Sequence, residues 1–380
     1  MRNYCLLPLV GWLSFCAACL SPSSQATSPV SVQAGVHRTL TGQLLGRALF
    51  NPAGNSLLFR VADSSGNTTV CVLRIESGKI EVLAKSDVAH ISFPTWSPDG
   101  KQVAYTSSLW PSENPCALQH VKWTVNVVDI GAPNSRRFIQ NARWASYAAD
   151  GKTISFVRAR DKNAYKNDVW LLSRSTGRYM RIDGGAVYVP PPWYVSWAPQ
   201  SKCLAFCGES DNGHPRLCAW LRTSGGWLLR RSPLPGLLAF SDPQWQAGSS
   251  TVLDYVRHAP SGTLQAVRWN VELGRAQILW TTSRKVKWRW VSLVPSSPRV
   301  WGLRFVDKQM VLEEYDPVSG RTHALRRFDA VQNENVSISW SSDGRCASLT
   351  TERWICVLDK AGVSKVKFTV EKMISLGAKG

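Results

Sequence analysis

The chain has 380 residues, of which 44% are hydrophobic and 19% charged. That balance excludes a disordered chain and supplies enough apolar material for a sizeable core. A formal charge of +19 raises the question of an acidic ligand, but Lys and Arg are scattered along the chain instead of gathered in one run, and nucleic acid is not expected as a partner.

The N-terminus reads as an export signal. Arg2 precedes a largely apolar stretch over residues 4–20, broken by Pro8 and Gly11, and a Ser-, Pro- and Thr-rich segment follows over 21–31. This succession is that of a signal rather than of a membrane span. Two ends fit it. Cys16-Ala17-Ala18-Cys19 resembles the lipobox of bacterial lipoproteins, which implies lipidation of Cys19, although that family has Leu where Cys16 stands; Ser24-Gln25-Ala26 suits ordinary cleavage after Ala26. The expected division is a signal over 1–19, a polar linker over 20–35 and a single domain over 36–380. No later stretch reaches about 18 consecutive apolar residues, so a lipid anchor is the only membrane contact expected.

The domain is organised around PTWSPDGKQVAYTSS at 94–108, two short strands joined at an Asp-Gly turn. Matches open at Phe50, Trp96, Tyr147, Trp197, Trp245, Leu293 and Trp340, separated by 46 to 51 residues. Each leads into a short apolar strand, at 56–60, 102–106, 153–157, 203–207, 251–255, 299–304 and 346–350. A second strand, turn, strand unit follows each, marked by Gly78, Gly131, Gly177, Gly225, Gly274, Gly320 and Gly362. Seven units of four strands predict an all-β fold, a seven-bladed β-propeller of four-stranded antiparallel blades. Trp96, Trp197, Trp245 and Trp340 are expected to be core wedges between blades. Residues 36–44 are expected to pair with the last blade, against an outer strand at 365–370.

The string W-S-P-D-G-x-x-V-A-Y resembles the WD-like repeats of TolB-type propellers, bacterial periplasmic proteins, and of the propeller halves of prolyl oligopeptidase-like enzymes. The resemblance implies the propeller fold and an extracytoplasmic place, periplasm or cell surface. It says little about function, because such repeats serve many roles. TolB-type proteins usually have six blades and a separate N-terminal domain, so seven units argue against the Tol component itself.

In a propeller the hairpin turns of the repeats share one face, and the loops between second and third strands share the other with the blade-to-blade links. The units differ on that second face, where long loops fall at 107–123, 158–168 and 207–216 and a link at 182–196. Irregular loops on a rigid scaffold commonly carry binding function. The first loop holds Trp110, and the link presents Trp193 and Tyr194 after three prolines, aromatic rings suited to a sugar or peptide. RKVKWRW at 284–290, read as an inner strand, puts Lys285, Lys287 and Arg289 on one side, an anion-attracting throat if that side faces the channel.

Cys203, Cys207, His214 and Cys218 have zinc-ligand types, but a straight strand separates Cys203 from Cys207 by about 13 Å, too far for one ion, so no metal is expected. Disulfides between Cys207 and Cys218 and between Cys346 and Cys356, pairs that flank hairpin loops, are the better account. No nucleophile elbow, His-Glu-x-x-His or phosphate loop occurs. The expected function is therefore binding without catalysis or cofactor: a monomer that holds a protein or glycan of the cell envelope, or an acidic ligand, on its loop face. The alternative is a lyase, glycosidase or peptidase-like propeller enzyme whose site gathers His120, Asp161, Asp168, His214 and His258 in the channel.

Overall fold

The structure, a computed structural model, describes residues 29–34, 36–41, 43–63, 67–86, 90–109, 122–159, 166–182, 187–188, 195–209, 215–234, 243–246, 248–259, 261–282, 288–329 and 334–369. Seven antiparallel four-stranded sheets form a seven-bladed β-propeller, the fourth strand of each lying outermost. Blade 1 comprises Gln43–Phe50, Ser56–Ala62, Thr68–Arg74 and Ile80–Ser86, and blade 2 His90–Trp96, Gln102–Leu109, Lys122–Asp129 and Ala132–Gln140. Blade 3 comprises Arg143–Tyr147, Thr153–Ala159, Lys166–Ser173 and Tyr179–Arg181, with Val187–Tyr188 as a further short strand against the third. Blade 4 comprises Val195–Trp197, Cys203–Glu209, Pro215–Thr223 and Gly226–Arg231, and blade 5 Gln244–Trp245, Val252–His258, Leu264–Asn270 and Arg275–Thr281. Blade 6 comprises Trp290–Leu293, Val300–Val306, Gln309–Asp316 and Arg321–Asp329, and blade 7 Ser337–Trp340, Cys346–Thr350, Trp354–Asp359 and Ser364–Thr369.

The repeated hairpin folds through its own side chains. Ser97 Oγ donates to Asp99 Oδ1 at 2.6 Å and accepts from Gln102 N at 2.9 Å, while Lys101 N donates to Asp99 at 3.1 Å. Gly100 closes the turn at φ 68°, a conformation that costs a residue with a Cβ. Blade 7 repeats the device with Ser341, Asp343 and Gly344. These bonds hold the Asp99 and Asp343 carboxyls below the usual carboxylate range. In the second marker the left-handed residue is Gly226 in blade 4 instead of the expected Gly225.

Alternation along each strand sends successive side chains to opposite neighbours. In blade 1, Leu57, Phe59 and Val61 pack with Ile355 and Val357 of blade 7, whereas Leu58, Val70 and Val72 pack with Val103, Tyr105 and Val128 of blade 2. Both faces of the sheet are thus covered, which is why Thr68–Arg74 is buried over six consecutive residues. The repeat tryptophans do sit between blades but are half-buried rather than fully in the core. Each uses its indole N–H as a clamp on the preceding blade: Trp96 to Leu49 O at 3.0 Å, Trp197 to Ser155 Oγ at 3.0 Å, Trp245 to Ser196 O at 3.2 Å and Trp340 to Ser292 Oγ at 2.9 Å. Among the described residues the fully buried indoles are Trp220, Trp269 and Trp301.

The ring closes differently from the expectation. Val36–Thr41 pairs with Pro29–Ala34 in a separate hairpin, and Ser364–Thr369 pairs only with Trp354–Asp359 among the described residues. Among the described residues no strand is shared between the first and last blades, and Gln43–Phe50 is the inner strand of blade 1. The seam is held by packing and by cross-blade bonds: Leu44 N to Glu352 O at 2.8 Å, Ala48 N to Thr350 Oγ1 at 3.1 Å and Ser348 Oγ to Ala48 O at 2.7 Å.

The proposed disulfides are overturned by register. Cys207 stands opposite Leu217 and Cys218 opposite Phe206, so the two thiols emerge from opposite faces of blade 4. Cys346 stands opposite Asp359 and Cys356 opposite Leu349, again on opposite faces, where Cys346 packs toward blade 1 and Cys356 toward blade 6. A hairpin brings two cysteines near each other, but bridging needs equal parity in the pleat. Burial instead pushes the Cys71, Cys203 and Cys207 thiols up to about 12. At pH 8 these three are expected to resist alkylation in the folded protein and to react fully once it is denatured. Peptide mass spectrometry reads this directly; rapid native labelling of Cys207 would contradict it.

Candidate functional site

The inner strands of blades 1, 2 and 3 share an irregularity. Their register against the second strand slips between Leu45 and Leu49, between Ser92 and Thr95, and between Arg143 and Ser146. At each slip one residue is left-handed: Gly46 at φ 71°, Phe93 at 50° and Trp144 at 55°. Glycine takes that conformation freely, whereas a bulky aromatic is strained there, at about 1–3 kcal/mol each. Bulges of this kind bend a strand and re-aim its side chains.

Here the re-aimed rings meet. Phe93 is 38% exposed, and its ring lies edge-on to Trp144 with centroids 5.7 Å apart and planes at 80°. Trp144 N donates to Thr106 Oγ1 of blade 2 at 2.9 Å, which fixes the bulge across the blade seam. Arg143, the first residue of its strand, is 4% exposed and donates through Nη2 to Asn167 Oδ1 at 2.6 Å. Its guanidinium carbon lies 4.4 Å from the Trp144 ring centroid and 5.2 Å from that of Trp123. Burial lowers its pKa to about 10, so it remains a cation at neutral pH.

Arg143, Trp123 and Asn167 stand at or next to the strand ends that feed the loop face. The group is therefore a fixed positive charge under an aromatic floor, with Phe93 open to solvent, at the side of the ring where the units differ. Indole faces and the amide oxygen offset part of the cost of burying that charge. Such a floor can hold a flat apolar group or a sugar ring by stacking and attract an acidic substituent.

Of the residues expected to bind, Trp110, Trp193, Tyr194, Lys285 and Lys287 lie outside the described residues, as does Cys19. Arg289 is described. The inner strand of blade 6 begins at Trp290, and Arg289 immediately precedes it, exposed, with its N–H donated to Leu303 O at 2.7 Å and its guanidinium 5.3 Å from the Phe305 ring. The loops are shorter than expected, because second strands run on to Leu109, Ala159 and Glu209 and third strands begin at Lys122, Lys166 and Pro215. Of the histidines and acids proposed for a catalytic cluster, Asp168 and His258 are described and belong to blades 3 and 5. Among the described residues no group of three or more His, Cys, Asp or Glu is placed to hold a metal ion.

The sequence reading missed Phe93, Arg143 and Trp144, yet a signal was present. Three positions before the residues that open four of the seven repeats stand Phe93, Trp144, Tyr194 and Trp290, an aromatic recurrence that aligning the units on those residues exposes.

No protein-family model matches the chain, and no curated relative matches it. Solved structures do. A prolyl endopeptidase is 15% identical with a TM-score of 0.59, the match covering 86% of this chain and 49% of that one. Oligogalacturonate lyase from Vibrio parahaemolyticus is 12% identical with a TM-score of 0.56, covering 90% of this chain and 96% of that one. TolB from Acinetobacter baumannii is 16% identical over 79% of this chain and 67% of that one, with a TM-score of 0.45. At such identities what these neighbours share with this chain is the β-propeller fold.

Proposed function

We propose that the chain is an exported, extracytoplasmic propeller that holds a protein or glycan of the cell envelope on its loop face and catalyses no reaction of its own. The observation that carries this reading is the pair of left-handed aromatics, Phe93 and Trp144, seated over buried Arg143. Strain kept at the same place in two adjacent blades, with one ring left open to water, is a feature that stability alone does not favour. The signal-like N-terminus and the lipobox-like Cys19 support the extracytoplasmic place.

Phe93→Gly separates function from stability. Glycine relieves the left-handed strain, so the melting temperature is expected to hold or rise, while recovery of partners from envelope extracts on immobilised residues 27–380 falls at least tenfold. A Trp193→Ala/Tyr194→Ala variant run alongside tests the aromatic link on the same face. A lowered melting temperature with undiminished recovery in the glycine variant would refute the assignment.

A further inference from the structure

A second cationic group lies on the loop face at the seam between blades 4 and 5. Arg257, next to last in Val252–His258, is 5% exposed; its Nε and Nη2 both donate to Gln265 Oε1, at 3.1 and 2.6 Å, and its buried Nη1 has no hydrogen-bond partner. Two residues back on the same face of that strand stands Tyr255, whose hydroxyl lies 2.6 Å from Ser232 Oγ. Arg216, second in Pro215–Thr223, donates its Nε to the carbonyl of the same Ser232 at 2.7 Å.

The chemistry of this group is lopsided. Arg216 and the Tyr255 phenol meet at Ser232, the Gln265 acceptor is already used twice by Arg257, and among the described residues neither arginine forms an ion pair with a carboxylate. A buried N–H without an acceptor is costly, more so on a charged group. Leu234 N donates to Ser232 Oγ at 3.4 Å, and either hydroxyl of the Ser232–Tyr255 pair can donate to the other, so the phenol can turn a proton toward an incoming acceptor. Arg257 Nη1 is thus a buried cationic donor in want of an acceptor, with the Tyr255 hydroxyl on the same face of its strand and Arg216 tied to Ser232 beside that hydroxyl.

We propose that the seam between blades 4 and 5 is an oxyanion site, in which Arg257, Tyr255 and Arg216 take a carboxylate or a phosphate group of the ligand. It rests on the loop-face reading for its place and on different residues for its chemistry, since Phe93, Arg143 and Trp144 belong to blades 2 and 3.

Calorimetric titration of residues 27–380 with sodium acetate and, separately, inorganic phosphate, each at constant ionic strength against chloride, tests it. One saturable site is expected, and the arm that binds more tightly names the anion class. Arg257→Gln is expected to weaken it at least tenfold, and Arg216→Gln and Tyr255→Phe at least threefold. If Arg257→Gln does not fold, the other two variants decide. Absence of saturable binding in the wild type, or unchanged affinity in Arg216→Gln and Tyr255→Phe, would overturn the site while leaving the Phe93 test standing.

Discussion

Gly302→Ala is expected to destabilise the protein by about 3 kcal/mol or more, the upper part of the range for an overpacked core. Gly302 lies in Val300–Val306, and a Cβ built on it meets the Trp288 indole at 2.3 Å from Cδ2 and Cε2 and 2.5 Å from Cγ. The indole has no easy retreat. Its Nε1 donates to Glu313 Oε2 at 3.0 Å, and the other oxygen of that buried carboxylate is 2.6 Å from Arg304 Nη2. The glycine is thus required by the flat approach of a ring and not by its own backbone angles. Trp288→Ala should then suppress most of the cost of Gly302→Ala in a double-mutant cycle, measured by chemical denaturation. Additive effects would show that the clash is relieved elsewhere.

Trp220→Ala is the second large effect, a loss of about 3–5 kcal/mol. Trp220 is wholly buried between blades 3 and 4 and stacks on Phe206, with centroids 3.8 Å apart and planes at 15°. Its Nε1 has no hydrogen-bond partner, which gives the experiment a sharper edge. Trp220→Phe removes that unsatisfied donor along with part of the ring, so it should cost well under half as much as the alanine variant. Trp301, equally buried and tilted at 49° against Trp340 with ring centroids 4.6 Å apart, donates its indole N–H to Glu314 Oε2 at 3.3 Å. Trp301→Phe should therefore cost more than Trp220→Phe, by about 1 kcal/mol. The reverse order would show that the unpartnered indole is not a burden.

These residues also mark what could be read before the fold was seen. The blade count was legible because the Ser-Pro-Asp-Gly turn is local: Ser97, Asp99 and Gly100 close it with their own side chains and backbone, and although blade 7 repeats the full device, the backbone bond that closes the turn recurs in all seven units. Facing was not legible, since it depends on hairpin length to the residue. Cys207 and Cys218 are close in sequence and one step out of phase in the pleat, and that step alone forbids the bond. The candidate site was harder still. Left-handed backbone is normally announced by Gly or Asn, as Gly46 announces it in blade 1; Phe93 and Trp144 adopt it against their residue type, so no rule of composition points to them. Ring closure was misjudged for a related reason: the strand that would clasp the ends and the strand that opens blade 1 look alike in pattern, and only pairing separates them.

That each blade is drawn from one unbroken stretch of chain bears on how such a molecule can change over generations. A gene segment encoding 46 to 51 residues specifies a complete wedge, so an in-frame duplication or excision would alter the number of wedges without splitting a sheet between two ends. What would have to be renegotiated is the small set of polar contacts by which Ala48 meets Ser348 and Thr350, a far lighter demand than re-threading a shared strand.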